Sequence, residues 1–589
     1  MLSIALIFAI FCLVFLFLFF AGLPNLKTCE LPNSSDFMHH GTDIKTWLPL
    51  LIVTAAYAGT AFWNLGNNAS PERFIPMSGQ SVVIELPDEQ LDTGPKTLIL
   101  FPGVGIGEYD IEYSDDAEGW FSLTHFSQDH VAVLKWQFLS LPTLDSFRYL
   151  RIICTSGNPW LGEVAIRNSN GNLISLNSSC PELLDDQELV PSSSDYHNSS
   201  YFDEIYHART AWEHLNGIWP YEISHPPLGK EILSLGILLF GMTPFGWRFS
   251  GTLIGVLMLP VMYDFLMQLF SKRRTALLGT VLLAAGFLHF TQTRIATVDS
   301  YAVFFILLMY RFMLGWFRQG KTLDLALCGL FFGMGAACKW TCLYAGAGLA
   351  ILWMARWITI KMKGSFSFRA FFRNIGFCIV FFVLIPALIY YLSYIPYGQA
   401  ENTALFSKAF TKMVLDNQSF MFHYHASIVA EHPYSSRWYQ WIFDIRPILY
   451  YLDYPSATQR ISIAAFVNPL ICWGGFLGFL ILLYLSVARG CRTGLFLLVG
   501  YLSGLVPWVF ISRLTFEYHY FASAVFLIPI LCYIFELIER NRQNGWKYSV
   551  TFTTFAVLLF VIFFPVLSGL VMDNTLESKL LSWLPSWPI

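Results

Sequence analysis

The sequence predicts a polytopic α-helical membrane protein of about twelve spans, with an external β-sandwich inserted near its N-terminus. Three observations predict it. Of the 589 residues, 55% are hydrophobic and only 13% are charged, against roughly 25% charged in soluble domains. Apolar runs of about 18–24 residues recur along the chain, and every second short loop between them carries an excess of Lys and Arg. Residues 67–181 interrupt this pattern with short alternating segments separated by Gly, Pro, Asp and Asn. A net charge of −4 gives no reason to expect a nucleic-acid partner.

Taken in order, residues 1–66 hold two spans. Residues 1–22 are almost wholly apolar and lack the positive flank of a signal peptide, so they read as a membrane helix. Residues 46–65 form the second. Within 67–181, Ser81-Val-Val-Ile-Glu-Leu86, Thr97-Leu-Ile-Leu-Phe101, Tyr109-Asp-Ile-Glu-Tyr113 and Tyr149-Leu-Arg-Ile-Ile-Cys154 read as strands of a sandwich. Residues 182–246 are a polar linker and an external loop. Helices follow in 247–393, at 247–270, 276–290, 295–316, 323–337, 343–357 and 370–392. A large external loop fills 394–459. The C-terminal helices of 460–589 are expected at 461–485, 495–511, 521–537 and 550–570. Lys272-Arg273-Arg274, Arg318 with Lys321, Lys361 with Lys363 and Arg369, Arg489 with Arg492, and Arg540, Arg542 and Lys547 mark the cytoplasmic loops. The sandwich, the 182–246 loop and the N-terminus then fall outside. The eleven Cys show no zinc spacing. Cys154 and Cys180 lie in the polar region and could pair in an oxidising compartment.

Ionisable residues at the ends of the spans carry the chemistry. Asp203 and Glu204 open the last external stretch before the main helical region. Adjacent residues on a helix point about 100° apart, so one carboxylate could accept a proton while the other orients a substrate. The alternative is an acidic pair at a solvated helix start, where negative charge suits the helix dipole. His207 follows Asp203 at helical spacing, but no third metal ligand accompanies them. His225 and Lys230 flank Pro226-Pro227-Leu-Gly229, which is a turn at the membrane surface or a close backbone approach to a ligand. Arg248, Arg294, Asp299, Lys339 and Arg513 all fall at the same interface by the loop charges. Each is a snorkelling anchor taken singly. Together they suit a lipid-linked phosphate, which Arg holds bidentately. A sugar on such a phosphate has a good leaving group, so one carboxylate base is sufficient, without the second carboxyl of a hydrolase.

Several ordered motifs carry a family resemblance from about residue 201 to the C-terminus. They are the Asp203-Glu204 pair, Ser224-His-Pro-Pro-Leu-Gly-Lys-Glu231, Phe245-Gly-Trp-Arg248 and Arg294-Ile-Ala-Thr-Val-Asp-Ser300. Gly329-Leu-Phe-Phe-Gly-Met-Gly-Ala-Ala-Cys-Lys339, His432-Pro-Tyr434-Ser-Ser-Arg-Trp438 and the turn from Arg513 through His519 to Tyr520 complete the set. The chain resembles the protein O-mannosyltransferase family, transferases of the GT-C fold. The resemblance implies transfer of a hexose, mannose, from a polyprenyl- or dolichyl-phosphate donor to Ser and Thr hydroxyls of exported proteins. It implies Asp203 as base, Glu204 as its partner and Arg248 at the carrier phosphate. Lys339 and Arg513 stand beside that phosphate, and His225, Lys230, Arg294, Asp299, His432, Tyr434 and His519 are further pocket candidates. No metal ligand set is implied, and dependence on a divalent cation stays open.

Two departures mark this chain. Arg437-Trp438-Tyr439-Gln-Trp441 stands where the family often has paired Trp. The loop 394–459 is too short for the β-trefoil of eukaryotic members, which favours a bacterial-type protein of a plasma membrane. The sandwich looks like a discoidin-type, galactose-binding-like jelly roll, suited to binding glycan or to bracing the enzyme. A lipid or cell-envelope glycan as acceptor, and a transporter or flippase, are the competing readings. Transport predicts charges near the bilayer midplane and repeated halves.

Overall fold

The computed structural model describes residues 10, 12–16, 44–87, 95–142, 147–427 and 431–589. The expected span at 1–22 lies outside the described residues except at 10 and 12–16, which are helical. The chain forms two compact units, one of residues 64–216 with 233–250, the other of 1–63, 217–232 and 251–589.

The first of these holds the sandwich. A four-stranded sheet runs in the order Ile75–Pro76, Trp160–Asn168, Pro95–Pro102, Gln137–Ser140, and a five-stranded sheet in the order Phe121–Gln128, Gly107–Ser114, Tyr149–Gly157, Ser81–Glu85, Asn177–Ser178. All pairings are antiparallel. Alternation explains the core. Val82, Ile84, Leu98, Leu100, Tyr109, Ile111, Leu150, Ile152, Val164 and Ile166 point inward from both sheets and are buried together. Cys154 and Cys180 are free thiols, bonded to the Ser156 carbonyl and the Glu182 carboxylate.

The other unit is helical. Among the described residues seven helices are long and apolar enough to cross a membrane: Pro244–Phe270, Asp299–Gln319, Thr341–Met362, Phe368–Ala400, Pro469–Arg489, Arg492–Phe510 and Trp546–Ser568. Two bent pairs raise this to nine, Arg273–Ala284 with Phe287–Thr293 at 57° and Glu517–Ala524 with Leu527–Asn541 at 44°. Trp47–Phe62 and Thr322–Cys338 are shorter apolar helices. The chain is a multi-pass helical membrane protein.

Two expectations need correction. The span expected at 461–485 starts with a strand. Gln459–Ala465 pairs antiparallel with Ile448–Ser456 on one side and Val571–Asp573 on the other, and the helix begins only at Pro469. Asn468-Pro469 is the local reason: the Asn468 side chain accepts from the Leu470 N–H, and Pro469 needs no N–H partner in the first turn. The 394–459 segment is not a plain loop either, for it folds as helices Ile395–Ala400, Lys408–Ser427 and Trp438–Trp441 before its strand.

The helix Thr322–Cys338 crosses the Phe368–Ala400 segment at very close range. A Cβ on Gly329 would meet the Phe381 carbonyl at 2.2 Å. The segment widens to a π-helical turn at Val380–Leu384, just before Pro386, whose ring cannot fit the regular hydrogen-bond ladder. Small residues permit such crossings where helices lack a hydrophobic drive to associate. Gly329→Leu should therefore force the two helices apart and lower the thermal midpoint in detergent, and Gly329→Ala should cost about 1–3 kcal/mol by overpacking. Thermal unfolding of the two purified variants checks this.

Candidate active site

In the sandwich-bearing unit, the helix Glu204–Leu215 starts from Asp203. Its approach is stitched to the sandwich. The Ser200 N–H and hydroxyl donate to the Leu134 and Val133 carbonyls, both at 2.8 Å, and Ser199 Oγ accepts from the Trp136 N–H. Trp212, two turns along, packs its ring against Phe74 and Trp160 at 5.2 and 5.8 Å. Phe202 takes φ +49°, a left-handed conformation that costs a bulky residue energy and persists only where its surroundings impose it.

Glu204 is fully buried and receives a bidentate bond from Arg248, Nε to Oε1 and Nη2 to Oε2, both at 2.7 Å. The Tyr201 N–H donates to the same carboxylate. The remaining Arg248 donors reach the carbonyls of Leu65 (2.9 Å), Tyr196 (2.6 Å) and Ser199 (3.1 Å). The Tyr201 ring lies 4.8 Å from the guanidinium carbon. All five N–H groups of Arg248 are thus engaged within the protein, and its side chain is 1% exposed. Arg248, expected at a carrier phosphate, and Glu204, expected beside the base, are here bonded to each other and to backbone carbonyls of this chain. Both are occupied in joining the ends of the sandwich insertion to the Asp203 helix. Asp203 differs from its neighbour. It is half-buried, its carbonyl accepts from the Tyr206 and His207 N–H groups, and its side chain makes no capping hydrogen bond to the helix it begins.

The helical unit carries the other candidates. Lys339, ending one apolar helix, pairs with Asp299, opening another, at 2.7 Å. Lys230 is wholly buried and donates to the Glu222 carboxylate and carbonyl and to the His225 carbonyl, so it holds the Pro-Pro turn together and has no part left for a ligand. The same Glu222 carboxylate takes His225 Nδ1 at 3.1 Å. The His225 ring lies edge-on to His425 at 5.4 Å, and His425 Nε2 bonds the Ser224 carbonyl. Burial, then His225, Arg513 and Lys339, push the His425 imidazole down to about 4. Burial lowers His225 as well, with Glu222 opposing and Lys339 and Lys230 assisting. These mutual effects describe one electropositive neighbourhood. Arg294 does not belong to it. Its guanidinium donates to the Ala61 and Trp63 carbonyls at the end of the helix Ile44–Phe62 and lies over Phe290. That end-cap corrects its expected place in the pocket.

A cavity of about 700 Å³ opens in this unit, lined by Glu431, His432, Arg437, Gln440 and Arg513 among others. Tyr434 sits at its edge, its N–H bonded to His432 Nδ1 and its ring 5.7 Å from the imidazole. His519 is buried behind the wall, parallel to Trp441 at 6.1 Å, and has a structural place. The arrangement offers cations of two kinds to an anion, a paired Lys339 and the Arg side chains of the cavity. No predicted site residue belongs to a metal-binding grouping among the described residues. The one tight acidic group, Glu163, Asp185 and Asp186, lies in the sandwich and is met by Gln187, the Asp186 N–H and Arg73.

Comparison with known proteins decides the family. The pattern described as dolichyl-phosphate-mannose-protein mannosyltransferase matches residues 240–396, and the C-terminal four-helix region of protein O-mannosyltransferase matches 410–587. The chain belongs to the protein O-mannosyltransferase family. A polyprenol-phosphate-mannose–protein mannosyltransferase of Mycobacterium tuberculosis is 24% identical over 465 residues, 66% of this chain and 86% of that protein. Its counterpart in Corynebacterium glutamicum is 24% identical over 479 residues, 67% and 90% of the two chains. The structure of the S. cerevisiae Pmt1-Pmt2 complex bound to the sugar donor superposes with a TM-score of 0.60 at 14% identity, covering 66% of this chain and 89% of that one. The fold is therefore GT-C.

Two residues of this family member escaped the sequence reading. His425 lies in the aromatic run Phe422-His-Tyr-His425, which stands out in composition without indicating a role. Glu222 looks like an ordinary surface acid, and only the turn shows that it holds both His225 and Lys230.

Breaking the buried ion pair should cost about 3–5 kcal/mol: Arg248→Ala and Glu204→Ala should each lower thermal stability by that order, and the double variant by less than the sum. A double-mutant cycle on purified protein measures it. For His425 the folded imidazole titrates below its ordinary 6.5. Its contribution is present above that value and is lost as pH falls toward about 4. Melting curves between pH 7 and pH 4 should fall less steeply for His425→Gln than for the wild type.

Proposed function

We propose that this protein transfers mannose from a polyprenyl-phosphate-linked donor to Ser and Thr hydroxyls of exported proteins, at the external face of a bacterial plasma membrane. The single observation that carries the assignment of roles is the split between adjacent acids. Glu204 is locked to Arg248, whereas Asp203 is held half-exposed on the same rigid helix start. Membership of the family supplies the donor class and the reaction. The Lys and Arg excess on alternate loops supports the external orientation.

In this reading Asp203 takes the proton of the acceptor hydroxyl as its oxygen attacks the anomeric carbon. The bond from that carbon to the phosphate oxygen breaks, and its electron pair leaves with the polyprenyl phosphate. Attack from the opposite side inverts the anomeric centre. Arg513, Lys339 and Arg437 supply positive charge for the phosphate as its negative charge grows, inside low-dielectric surroundings where such stabilisation is strong. His432 lines the same cavity as the two Arg residues and assists in holding the phosphate oxygens. The sandwich is assigned a bracing role, through Ser199, Ser200 and Trp212.

Membranes carrying Asp203→Asn, supplied with polyprenyl-phosphate mannose and a Ser/Thr peptide, should transfer about 10²–10⁴-fold more slowly than wild type. The donor KM should change little. Undiminished transfer removes Asp203 as base, and transfer confined to a different hexose corrects the sugar.

A further inference from the structure

Two buried carboxyls outside the residues assigned above face each other behind the cavity. Asp444 follows the short helix Trp438–Trp441, and Glu517 opens the turn Glu517–Tyr520. Asp444 Oδ1 accepts from the Val467 N–H at 3.0 Å. Asp444 Oδ2 and both oxygens of Glu517 are closed off from solvent and accept no hydrogen bond of good geometry, with only the Val467 N–H and the Cys472 thiol close by. Neither carboxyl has an ion-pair partner among the described residues. The two lie within hydrogen-bonding reach of each other.

The groups packed around them offer no compensating charge. Cys472, on the helix Pro469–Arg489, directs its thiol to the Trp441 and Ile442 carbonyls. Tyr520, on Glu517's own turn, bonds Tyr501 at 2.7 Å, and His519 beside it bonds the Phe516 backbone. From the C-terminus, the Trp587 indole donates to the Asp444 carbonyl at 2.7 Å. Two ionised carboxylates in such a place would repel in dry surroundings that hold no cation. A proton on Glu517, donated to Asp444 Oδ2, supplies the missing donor.

We infer that Asp444 and Glu517 share one proton, and that this shared proton positions the two loops that wall the cation-lined cavity. The loops are also joined by hydrogen bonds, among them a longer one from Arg437 Nη1 to the Arg513 carbonyl at 3.5 Å. The Ser436 N–H donates to the Thr515 carbonyl at 2.9 Å, Thr515 Oγ1 to the Ser436 carbonyl at 2.6 Å, and Arg437 to the Ser512 carbonyl at 2.8 Å. Both anchors sit a few residues from the cavity wall, Asp444 beyond His432, Arg437 and Gln440, Glu517 beyond Arg513 and Thr515. Burial, and then the facing Asp444 carboxyl, push Glu517, which holds the proton, well above the ordinary carboxylate range, while burial pushes Asp444 up to about 6. A proton held more tightly when folded stabilises the closed arrangement at low pH. That contribution is lost as pH rises and the proton leaves. Two charges would then press the loops apart and disturb the spacing of Arg437 and Arg513. Asp444 and Glu517 are positioning residues, and their effect on substrate rests on the reading of the cavity as the donor-phosphate site.

Infrared difference spectroscopy tests the proton directly, without activity. The purified wild type at neutral pH should show the carbonyl stretch of a buried carboxylic acid that is missing from Glu517→Gln. Absence of that band, or its persistence in Glu517→Gln, overturns the shared proton. Transfer assays then test the positioning. The wild-type donor KM should rise at least threefold between pH 7 and pH 9, with a smaller change in kcat. Glu517→Gln should show a flat KM, because its amide N–H donates the bond at every pH. Asp444→Asn places an amide donor at the Oδ2 position and should flatten the KM likewise, which keeps the test open if Glu517→Gln does not fold. An alkaline KM rise unchanged in the variants overturns the positioning role. A band that behaves as expected in a protein inert toward any polyprenyl-phosphate sugar leaves the shared proton standing and overturns the function proposed above.

Discussion

The buried ion pair of Arg248 and Glu204 is the constraint on which the sandwich-bearing unit depends. Removing two charges from water is costly, and only full hydrogen bonding makes it tolerable. Here the guanidinium satisfies a carboxylate and three backbone carbonyls, from Leu65, Tyr196 and Ser199. Those carbonyls stand before and after the sandwich in the chain. One side chain therefore closes the insertion and fixes the residue preceding the helix Glu204–Leu215. Asp203, next to Glu204, inherits that rigidity without sharing the bond. In its proposed role as base, a residue held this way loses little freedom when an acceptor arrives.

Cations that look alike in sequence do three different jobs. Arg248, Arg294 and Lys230 terminate backbone segments, answering carbonyls that no helix or strand partner satisfies. Lys339 is paired in advance with Asp299 at the end of an apolar helix. Arg513 and Arg437 line open volume. The phosphate contacts proposed above come from the last two groups.

Architecture was legible in the sequence wherever periodicity was long. The spans expected at 295–316, 323–337 and 550–570 correspond to helices Asp299–Gln319, Thr322–Cys338 and Trp546–Ser568. The strand segments of the sandwich alternate as read, because one face of each is buried. The strand Gln459–Ala465 was missed since its apolar residues run straight into a membrane helix, and hydropathy does not register hydrogen-bond partners supplied from Ile448–Ser456 and Val571–Asp573. The acidic pair was found, but its division of labour was not. Position along the chain says that Arg248 reaches an interface; only the geometry shows that its five N–H groups end on this protein. Glu222, Asp444 and Glu517 had no signal at all, since a single acid in a loop reads the same whether solvated or buried against a partner 73 positions away, as for Asp444 and Glu517, or only a turn distant.

The order of the chain gives the Arg248 bond a consequence for biosynthesis. Arg248 leaves the ribosome after both Leu65 and Tyr196, with the whole sandwich between them. Its bonds to those carbonyls can form only once the intervening domain has folded and brought its ends together. Until then Arg248 and Glu204 are charged groups without their partners at the edge of an apolar segment, and the first residues of the helix Pro244–Phe270 have no settled seat. A chain whose sandwich has misfolded is left with an uncompensated charge in the first turns of the helix Pro244–Phe270.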